Sequence, residues 1–343
     1  LRSCFLLHVD SEYVRHGAVD PKLFFKKVDF SARVRETRRG LGPDIERLAA
    51  TVSGAESPRV EVGRHCDRPH PCGFRAQCWS GVPEYSVYDI ARLSDEKLAK
   101  LRAKGVLELK SVPDDFKLSA AQRLQVELEK SGRPRVARAA IAHLLSELSE
   151  PLYFLDFETI ALAIPPYEGM SPYGLLPFQF SLRVGDRHVE FLADGKGDPR
   201  PAVADALAAA VEDAGTVIAY NKSFEARCLS ALSLACPRRA PVLLSMRERL
   251  WDLAEPFKTG LYADPAFRGS WSIKAVLPAL LPGLGYEGLA IAEGGAAQAA
   301  YHRLMLGLPP AEEAKVRAGL LEYCGHDTRA MVELLGALRR SCL

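Results

Sequence analysis

The sequence predicts an α/β protein in which a mixed β-sheet is flanked by helices. Three observations predict this class: an apolar run typical of an interior strand, two further strand-like segments that follow it in hairpin style, and alternating helix and strand patterns after them. The composition, 48% hydrophobic and 26% charged residues, is typical of globular domains. A length of 343 residues suggests two or three such domains.

The first predicted domain covers residues 1–85. It contains a strand over residues 4–9 and a helix over residues 30–52. Residues 40–43 (GLGP) should interrupt this helix, because glycine and proline disfavour helix interiors. Since the chain starts at Leu1, just before a strand-like stretch, we expect it to begin within a domain.

The second predicted domain, residues 86–148, is helical. Ser94 and Ser119 are good N-cap residues, and Gly105 and Gly132 suit C-terminal caps. Three stretches place apolar residues three and four positions apart: SVYDIARL, SDEKLAKLRAKG and LSAAQRLQVELEKSG.

The third predicted domain, residues 149–343, carries the mixed sheet. Its first two strands are joined by a loop over residues 163–177, and a looser region ends at about Leu308. We expect strands over residues 152–158, 178–184, 188–193 and 216–220, and helices over residues 200–215, 222–235 and 310–340.

Two acids lie two positions apart in the strand-like stretch LYFLDFET, residues 152–159. On a strand, Asp156 and Glu158 project from the same face, where two like charges repel each other unless a cation lies between them. A divalent ion such as Mg2+, which prefers carboxylate oxygens, would balance both charges. The alternative is a strand end whose acids face solvent or cap the next helix.

Further acids should come from other elements, because one strand cannot complete a coordination sphere. In VIAYNKSFEARCL, Asn221 and Glu225 are four positions apart and would share one helical face if the helix begins at once. In EYCGHDTRAMVELL, Asp327 lies in a predicted helix four residues after Tyr323.

With these motifs in this order, the third domain resembles the DEDD family of 3′ to 5′ exonucleases in the ribonuclease-H-like superfamily. DFE at residues 156–158 matches the first motif, NKSFE at 221–225 resembles the second, and YCGHD at 323–327 matches the third motif of the Tyr branch. The resemblance implies a ribonuclease-H-like mixed sheet and a nuclease site built from these acids.

The resemblance also implies a chemistry: hydrolysis of phosphodiester bonds with two Mg2+ or Mn2+ ions about 4 Å apart, bridged by Asp156. Glu225 and Asp327 would complete the ligand set. Glu158, itself a ligand, and Tyr323 would orient or deprotonate the attacking water. Because a tyrosine hydroxyl with a pKa of about 10 is a poor base at neutral pH, we expect Tyr323 to position the water.

The second motif departs from the family, which normally has Asp where this chain has Glu225. The side chain is one methylene longer, so either the metal geometry is looser or Asp252 in LWDLAEPF assists. The stretch GSWSIKAVLPALLP resembles a serine- and lysine-containing segment of polymerase exonuclease domains. Lys274 is therefore a candidate phosphate contact, with an ordinary exposed lysine as the alternative. Asn221 is the other candidate substrate-binding residue.

Tyr323 and His326 compete for the place of water activator, because the family's other branch uses a histidine. That branch has its histidine five positions before the aspartate, where this chain has Glu322. On a helix Tyr323 shares a face with Asp327, whereas His326 is rotated by about 100°. The expected residue is Tyr323, and a core aromatic is the alternative.

Three of the eight cysteines are clustered, namely Cys66, Cys72 and Cys78 in HCDRPHPCGFRAQCW. Such clustering favours a metal site over core packing. Zinc would recruit His65 or His70 as a fourth ligand, whereas an iron–sulfur cluster would need a fourth cysteine.

The cysteine segment resembles the C-terminal end of RecB-like nucleases of the PD-(D/E)XK superfamily, including the CRISPR-associated exonuclease branch. Over residues 1–80 this resemblance implies a four-iron four-sulfur cluster whose remaining cysteine lies upstream, and Cys4 is the nearby substitute. We therefore expect a remnant of a RecB-like domain with an incomplete cluster and a missing N-terminal half, fused to the exonuclease domain in a bacterial nuclease family.

The expected function is a metal-dependent exonuclease that acts on single-stranded DNA or RNA ends. The alternative is a catalytically weak or inactive nucleic-acid-binding module with a degenerate exonuclease fold, and a third reading makes the acids purely structural. No apolar run reaches about 18 residues and no signal peptide is evident, so we expect a soluble cytoplasmic protein without membrane contact.

Overall fold

A computed structural model describes residues 2–56, 58 and 60–342. The chain forms two compact units, which are described separately. One comprises Leu1–Glu84 with Leu162–Gly174, and the other comprises Tyr85–Ala161 with Leu175–Leu343. The division into three domains stays a prediction.

The first unit contains a two-stranded antiparallel sheet and a long helix. Its helix is continuous, so the predicted interruption at residues 40–43 is wrong. Pro43 lies on an exposed stretch, where water can bind the carbonyl that loses its partner. The elements are β1 (Phe5–Val9), α1 (Pro21–Phe24), β2 (Phe25–Asp29), α2 (Ser31–Ser53) and the single turn α3 (Arg75–Cys78), with β1 paired to β2.

The second unit begins with helices whose caps agree with the sequence. The Ser94 hydroxyl accepts a hydrogen bond from the Lys97 amide, Ser119 and Gln122 form a capping box, and Gly132 is left-handed at the C-cap. SVYDIARL forms only a 3-10 turn over Val87–Asp89, because Asp89 accepts from the Ser86 amide and closes it. The elements are α4 (Asp95–Ala103), α5 (Ala120–Ser131), β3 (Arg135–Val136) and α6 (Arg138–Leu145).

A five-stranded mixed sheet is the centre of this unit. Its strands are β4 (Leu152–Ile160), β5 (Leu176–Val184), β6 (Arg187–Leu192), β7 (Thr216–Ala219) and β8 (Leu250–Asp252), in the spatial order β6-β5-β4-β7-β8. β4 pairs antiparallel with β5 and parallel with β7, and β8 extends the sheet in parallel beyond β7. The predicted α/β class with a mixed sheet flanked by helices is confirmed.

One face of the sheet is apolar and packs on three helices. Tyr153, Leu155 and Phe157 of β4 belong to a buried cluster together with Phe180 and Leu182 of β5. The helices that complete this cluster are α7 (Arg200–Ala210), α8 (Ser223–Ala235) and α9 (Ala240–Glu248). The first of them ends at Ala210, before the predicted Gly215.

Gly215 places the start of β7 beside the start of β4. Its φ is +84°, and a Cβ atom there would lie 2.1 Å from the carbonyl oxygen of Pro151. A side chain at position 215 would therefore disturb the parallel pairing that positions the loop after β7.

The region expected to be loose, up to Leu308, contains regular elements. β8 escaped prediction because three residues are too few for a periodic signal. After it come α10 (Glu255–Lys258), β9 (Tyr262–Ala263, paired with β3), α11 (Ile273–Leu280) and α12 (Gly294–Leu306), and the predicted C-terminal helix follows as α13 (Pro310–Ser341). None of the helices in the described ranges is both long and apolar enough to cross a lipid bilayer.

The other face of the sheet is polar and is covered by α13. The Ser181 and Thr328 hydroxyls lie 2.7 Å apart, and the Gln179 amide donates to the carbonyl oxygen of Leu320 at 2.7 Å. Arg183 donates to Thr328 at 3.2 Å. These polar contacts fix α13 on the face from which Asp156 projects, since Asp156 pairs with Ser181 across the strands.

Candidate metal centre

Three carboxylates from two elements meet on the polar face of the sheet. Asp156 and Glu158 project from β4, and Asp327 comes from α13. One oxygen of each lies within 4.8 Å of the others. Asp156 and Asp327 are half-buried, and Glu158 is only 7% exposed. The expected meeting of the first and third motifs is observed, and the group has the donor set for a divalent metal ion.

Glu225 lies in the first turn of α8 and is 3% exposed. Its Oε2 atom is buried without a hydrogen-bond partner, and its charge acts on both Asp156 and Glu158. It is not one of the three acids whose donor atoms lie within 4.8 Å of one another, so it lies near the group without being part of it.

Asn221 does not share a helical face with Glu225, because the helix does not begin at once after the strand. α8 begins at Ser223, and Asn221 precedes it with a φ of +64°, a left-handed turn that asparagine tolerates. Its backbone amide donates to Asp252 Oδ1 at 2.8 Å, and the backbone amide of Ala254 donates to the same oxygen at 3.0 Å. Asp252 thus anchors the turn that delivers Glu225.

Burial and mutual repulsion disfavour the charged form of these acids. Burial, and then the charge of Asp327, raise the pKa of Asp156 well above its ordinary value. The same two causes raise the pKa of Glu158 to about 8, and burial raises the pKa of Asp327 to about 6. Burial, with Asp252 nearby, raises the pKa of Glu225 to about 8. A bound cation would favour the charged forms, so metal binding should release protons.

Tyr323 and His326 take the places that helical geometry predicts. Tyr323 is 5% exposed on the side of α13 that carries Asp327, and burial, then the charge of Asp327, raise the pKa of its hydroxyl. The hydroxyl therefore stays protonated at neutral pH and is not available as a base. His326 packs edge-on against Tyr286 at 4.8 Å, and its Nε2 is buried without a partner.

Tyr286 is a site residue that the sequence did not reveal. Its hydroxyl donates a hydrogen bond to Asp327 Oδ1, and its ring lies 6.2 Å from the ring of Tyr323. The ammonium of Lys274 lies 5.2 Å and 5.9 Å from these two ring centroids and donates to the Ala292 carbonyl oxygen at 2.6 Å. The Lys274 charge lowers the pKa of Glu158 and of Asp327, so Lys274 lies near the acids.

Two fully buried cysteines flank the acids. Cys324 lies on α13 between Tyr323 and Asp327, with Sγ 3.3 Å from Asp156 Oδ2. Cys228 lies on α8 three residues after Glu225. Burial, and then the nearby acids, raise the pKa of both thiols well above the ordinary value. Both thiols are therefore protonated and unreactive at neutral pH.

The structure does not bring Cys66, Cys72 and Cys78 into a metal-binding group. Among the residues that it describes, the acidic triad is the only set of three or more ligand residues whose donor atoms come this close. Cys66 is buried, and Cys72 and Cys78 are exposed, all as free thiols. Zinc or an iron–sulfur cluster at this segment stays a prediction.

The polar neighbours on β5 had a signal in the sequence. In FQFSLRV, polar residues alternate with apolar ones: Gln179, Ser181 and Arg183. In a strand beside the acidic one, this alternation indicates a polar face that continues across the sheet. Tyr286 and Cys324 had no such signal, since their contacts depend on tertiary packing.

Similarity to known proteins adds a partial family match. A family model described as "Domain of unknown function (DUF2779)" matches residues 153–272, about a third of the chain. The matched range includes Asp156, Glu158 and Glu225 and ends before Asp327. The "Uncharacterized protein MG366 homolog" of Mycoplasma pneumoniae is 29% identical over 217 residues, which are 55% of this chain and 32% of that protein.

This chain thus spans about a third of the length of that relative. No solved structure matches this chain. Neither description names an activity, so a function has to rest on the chemistry of the site.

Replacing Tyr286 with phenylalanine should weaken metal binding about tenfold at neutral pH, since it removes a hydrogen bond that orients Asp327 and lowers its pKa. A higher pKa keeps Asp327 protonated to higher pH, so the defect should shrink at pH 9. Calorimetric titration with Mn2+ at both pH values measures this.

Tyr153→Phe is the matched control for this change. Tyr153 is a buried tyrosine on the apolar face of the sheet, and its hydroxyl accepts from the Glu212 amide at 3.2 Å. Equal Mn2+ affinity of Tyr286→Phe and wild type at neutral pH would show that Tyr286 does not support Asp327.

Proposed function

We propose that this chain is a metal-dependent exonuclease that hydrolyses phosphodiester bonds at the ends of single-stranded DNA or RNA. The observation that carries the proposal is the meeting of three carboxylates, buried or half-buried, from one strand and one helix distant in sequence, with a fourth nearby from a second helix. Uncompensated burial of four acids is costly, and divalent cations are the simplest compensation. Cleavage from the 3′ end is carried over from the exonuclease resemblance.

The architecture supports the same proposal. β4, with its two acids, is at the centre of the sheet, between the β5-β6 hairpin and the parallel strands β7 and β8. Such a mixed sheet flanked by helices is compatible with a ribonuclease-H-like domain. The third-motif residues arrive on α13, which lies on the acidic face.

The chain's own residues have distinct roles in this proposal. Asp156, Glu158 and Asp327 hold divalent cations, and Glu225 adds a further carboxylate. Bound Mg2+ or Mn2+ would supply charge stabilisation for the phosphoryl group and a water of lowered pKa. With its raised pKa, the Tyr323 hydroxyl stays protonated and positions water by hydrogen bonding. In this proposal the acids and Tyr323 orient the cations and the attacking water more than they transfer protons.

Two polar side chains suit substrate contact. Lys274 is exposed beside the acids and brings a positive charge to a site that is otherwise acidic, which suits a phosphate. Asn221 is half-buried at the turn before α8, and its side-chain oxygen accepts from Ser223 at 3.2 Å. The side-chain nitrogen of Asn221, Nδ2, is the atom suited to donate a hydrogen bond to a substrate oxygen.

A second candidate function is nucleic-acid binding without cleavage. The longer Glu225 side chain, in place of the family's aspartate, and its position outside the group of three favour it. A binding module would keep the positive Lys274 and the metal, yet lack the geometry for hydrolysis.

Degradation of end-labelled single-stranded DNA and RNA tests the proposal. With Mn2+ or Mg2+, a 5′-labelled strand should shorten stepwise, and chelation by EDTA should stop the reaction. A 3′-labelled strand should release its label in the first step if cleavage begins at the 3′ end. The two polymers together establish the preferred sugar.

Absence of cleavage with either metal would reject the exonuclease. A mobility-shift measurement with the same strands would then decide for the binding module if a complex forms, and against both functions if none forms.

A further inference from the structure

The carboxylate of Asp156 is held by an unusual donor. The Cys324 thiol lies 3.3 Å from Oδ2 and 3.7 Å from the backbone oxygen of the same residue. A thiol has one proton to donate, and the shorter contact leads to the carboxylate. Among the described residues, no other hydrogen bond reaches the Asp156 carboxylate, so this contact sets its orientation.

The position of Cys324 on α13 makes it suitable for this task. It lies three residues before Asp327, so one helix delivers both a metal ligand and the donor that orients the second ligand. Cys324 has no exposure to solvent, so water does not compete for the carboxylate oxygen.

We infer that Cys324 is a positioning residue for the metal centre, which directs the Asp156 carboxylate toward the divalent cation through an S–H···O hydrogen bond. The inference rests on the proposed metal-dependent function. With Oδ2 fixed by the thiol, Oδ1 has no hydrogen bond within the described residues and is available as a ligand. Substituting a residue that hydrogen-bonds to a metal ligand typically reduces metal affinity or activity by a factor of about 10 to 100.

The test compares two substitutions at Cys324. Cys324→Ala removes the donor and should weaken Mn2+ binding about tenfold, at the low end of that range because a thiol is a weak donor. Cys324→Ser keeps a donor of similar size, and its affinity should stay within about threefold of the wild-type value. Mn2+ affinity is measured by electron paramagnetic resonance of free Mn2+, and folding by thermal unfolding in EDTA.

Cys228→Ala is the matched control. Cys228 is an equally buried thiol near the same acids, and within the described residues it makes no hydrogen bond to a carboxylate. Its Mn2+ affinity should stay within about twofold of the wild-type value.

The inference is overturned if Cys324→Ala binds Mn2+ as tightly as wild type, if Cys324→Ser loses as much affinity as Cys324→Ala, or if Cys228→Ala loses as much. If Cys324→Ala does not fold, Cys324→Val, which fills the space of the thiol without a hydrogen-bond donor, takes its place with the same expected loss. Absence of Mn2+ binding by the wild-type protein would instead reject the proposed function, and the inference with it. A loss of affinity in Cys324→Ala without nuclease activity in any protein would keep the inference and reject the nuclease.

Discussion

Replacement of Asp156 by asparagine should reduce metal-dependent cleavage about a thousandfold or more. Metal ions contribute several kcal/mol of charge stabilisation to phosphoryl transfer, and each loss of about 1.4 kcal/mol costs a factor of ten in rate. The charges of Asp327, Glu158 and Glu225 all act on the pKa of Asp156, so this carboxylate lies near the three other acids of the proposed site. A neutral amide in its place has no negative charge to balance the cation and binds it more weakly.

The same substitution should stabilise the metal-free protein. At pH 8 Asp156 is ionised in the unfolded chain, whereas burial and the neighbouring acids disfavour its charge in the folded protein, and an amide of the same shape removes this cost. We expect the free energy of unfolding in EDTA to rise by about 1 to 2 kcal/mol. Thus activity and stability should change in opposite directions.

Initial cleavage rates and thermal unfolding in EDTA measure both effects. Asp186→Asn is the control, because it makes the same chemical change outside the site. Asp186 is exposed in the turn between β5 and β6. A cleavage rate of Asp156→Asn near that of the control would place the active site elsewhere.

The pH dependence of stability is the second large expected effect. The folded protein raises the pKa of Glu225 from 4.5 to about 8, so between these values the folded state binds more protons than the unfolded state. The free energy of unfolding should therefore fall as pH rises through this window, by several kcal/mol at most. The stabilising contribution of protonated Glu225 is fully present below the unfolded pKa of 4.5 and is lost as pH rises through the folded pKa of about 8.

Glu225→Gln should flatten this pH dependence in EDTA. The variant should be more stable than wild type at pH 9 by about 2 kcal/mol, and the difference should be much smaller at pH 5, where Glu225 is protonated in the folded state and pH is close to its unfolded pKa of 4.5. Added Mn2+ should raise the free energy of unfolding of the wild-type protein most strongly at pH 9, since the cation needs ionised carboxylates.

Chemical unfolding from pH 5 to pH 9, with and without Mn2+, gives these values. The exposed Glu248 provides the control substitution Glu248→Gln, which should keep the wild-type profile. An unchanged pH profile in Glu225→Gln would show that Glu225 is ionised at neutral pH without a metal.

The sequence predicted the parts of the fold that have strong periodicity. LYFLDFET and FQFSLRV are long and apolar on one face, and they form β4 and β5. The 32-residue α13 was also predicted, within one residue at its C-terminal end. Asp156 and Glu158 were conspicuous because acids are rare in apolar segments, and Asp327 was found from its spacing to Tyr323 in a predicted helix.

Other features depend on contacts between distant residues. Tyr286 lies in a glycine-rich segment without periodicity, and its hydrogen bond joins it to Asp327, 41 residues later in the chain. The turn at Asn221 separates it from the face of Glu225 because Asp252, on a strand too short to predict, holds its amide. Local patterns do not encode such geometry.

The two-faced sheet also limits how the gene can change. Side chains of a strand alternate between its faces, so a single-codon insertion or deletion between Leu152 and Asp156 would turn the acids into the apolar core and the core residues toward α13. Such a lesion would abolish folding and the metal centre together. Natural variation in this stretch should therefore consist of substitutions, whereas length variation should accumulate in exposed connections such as the turn at Gly185 and Asp186.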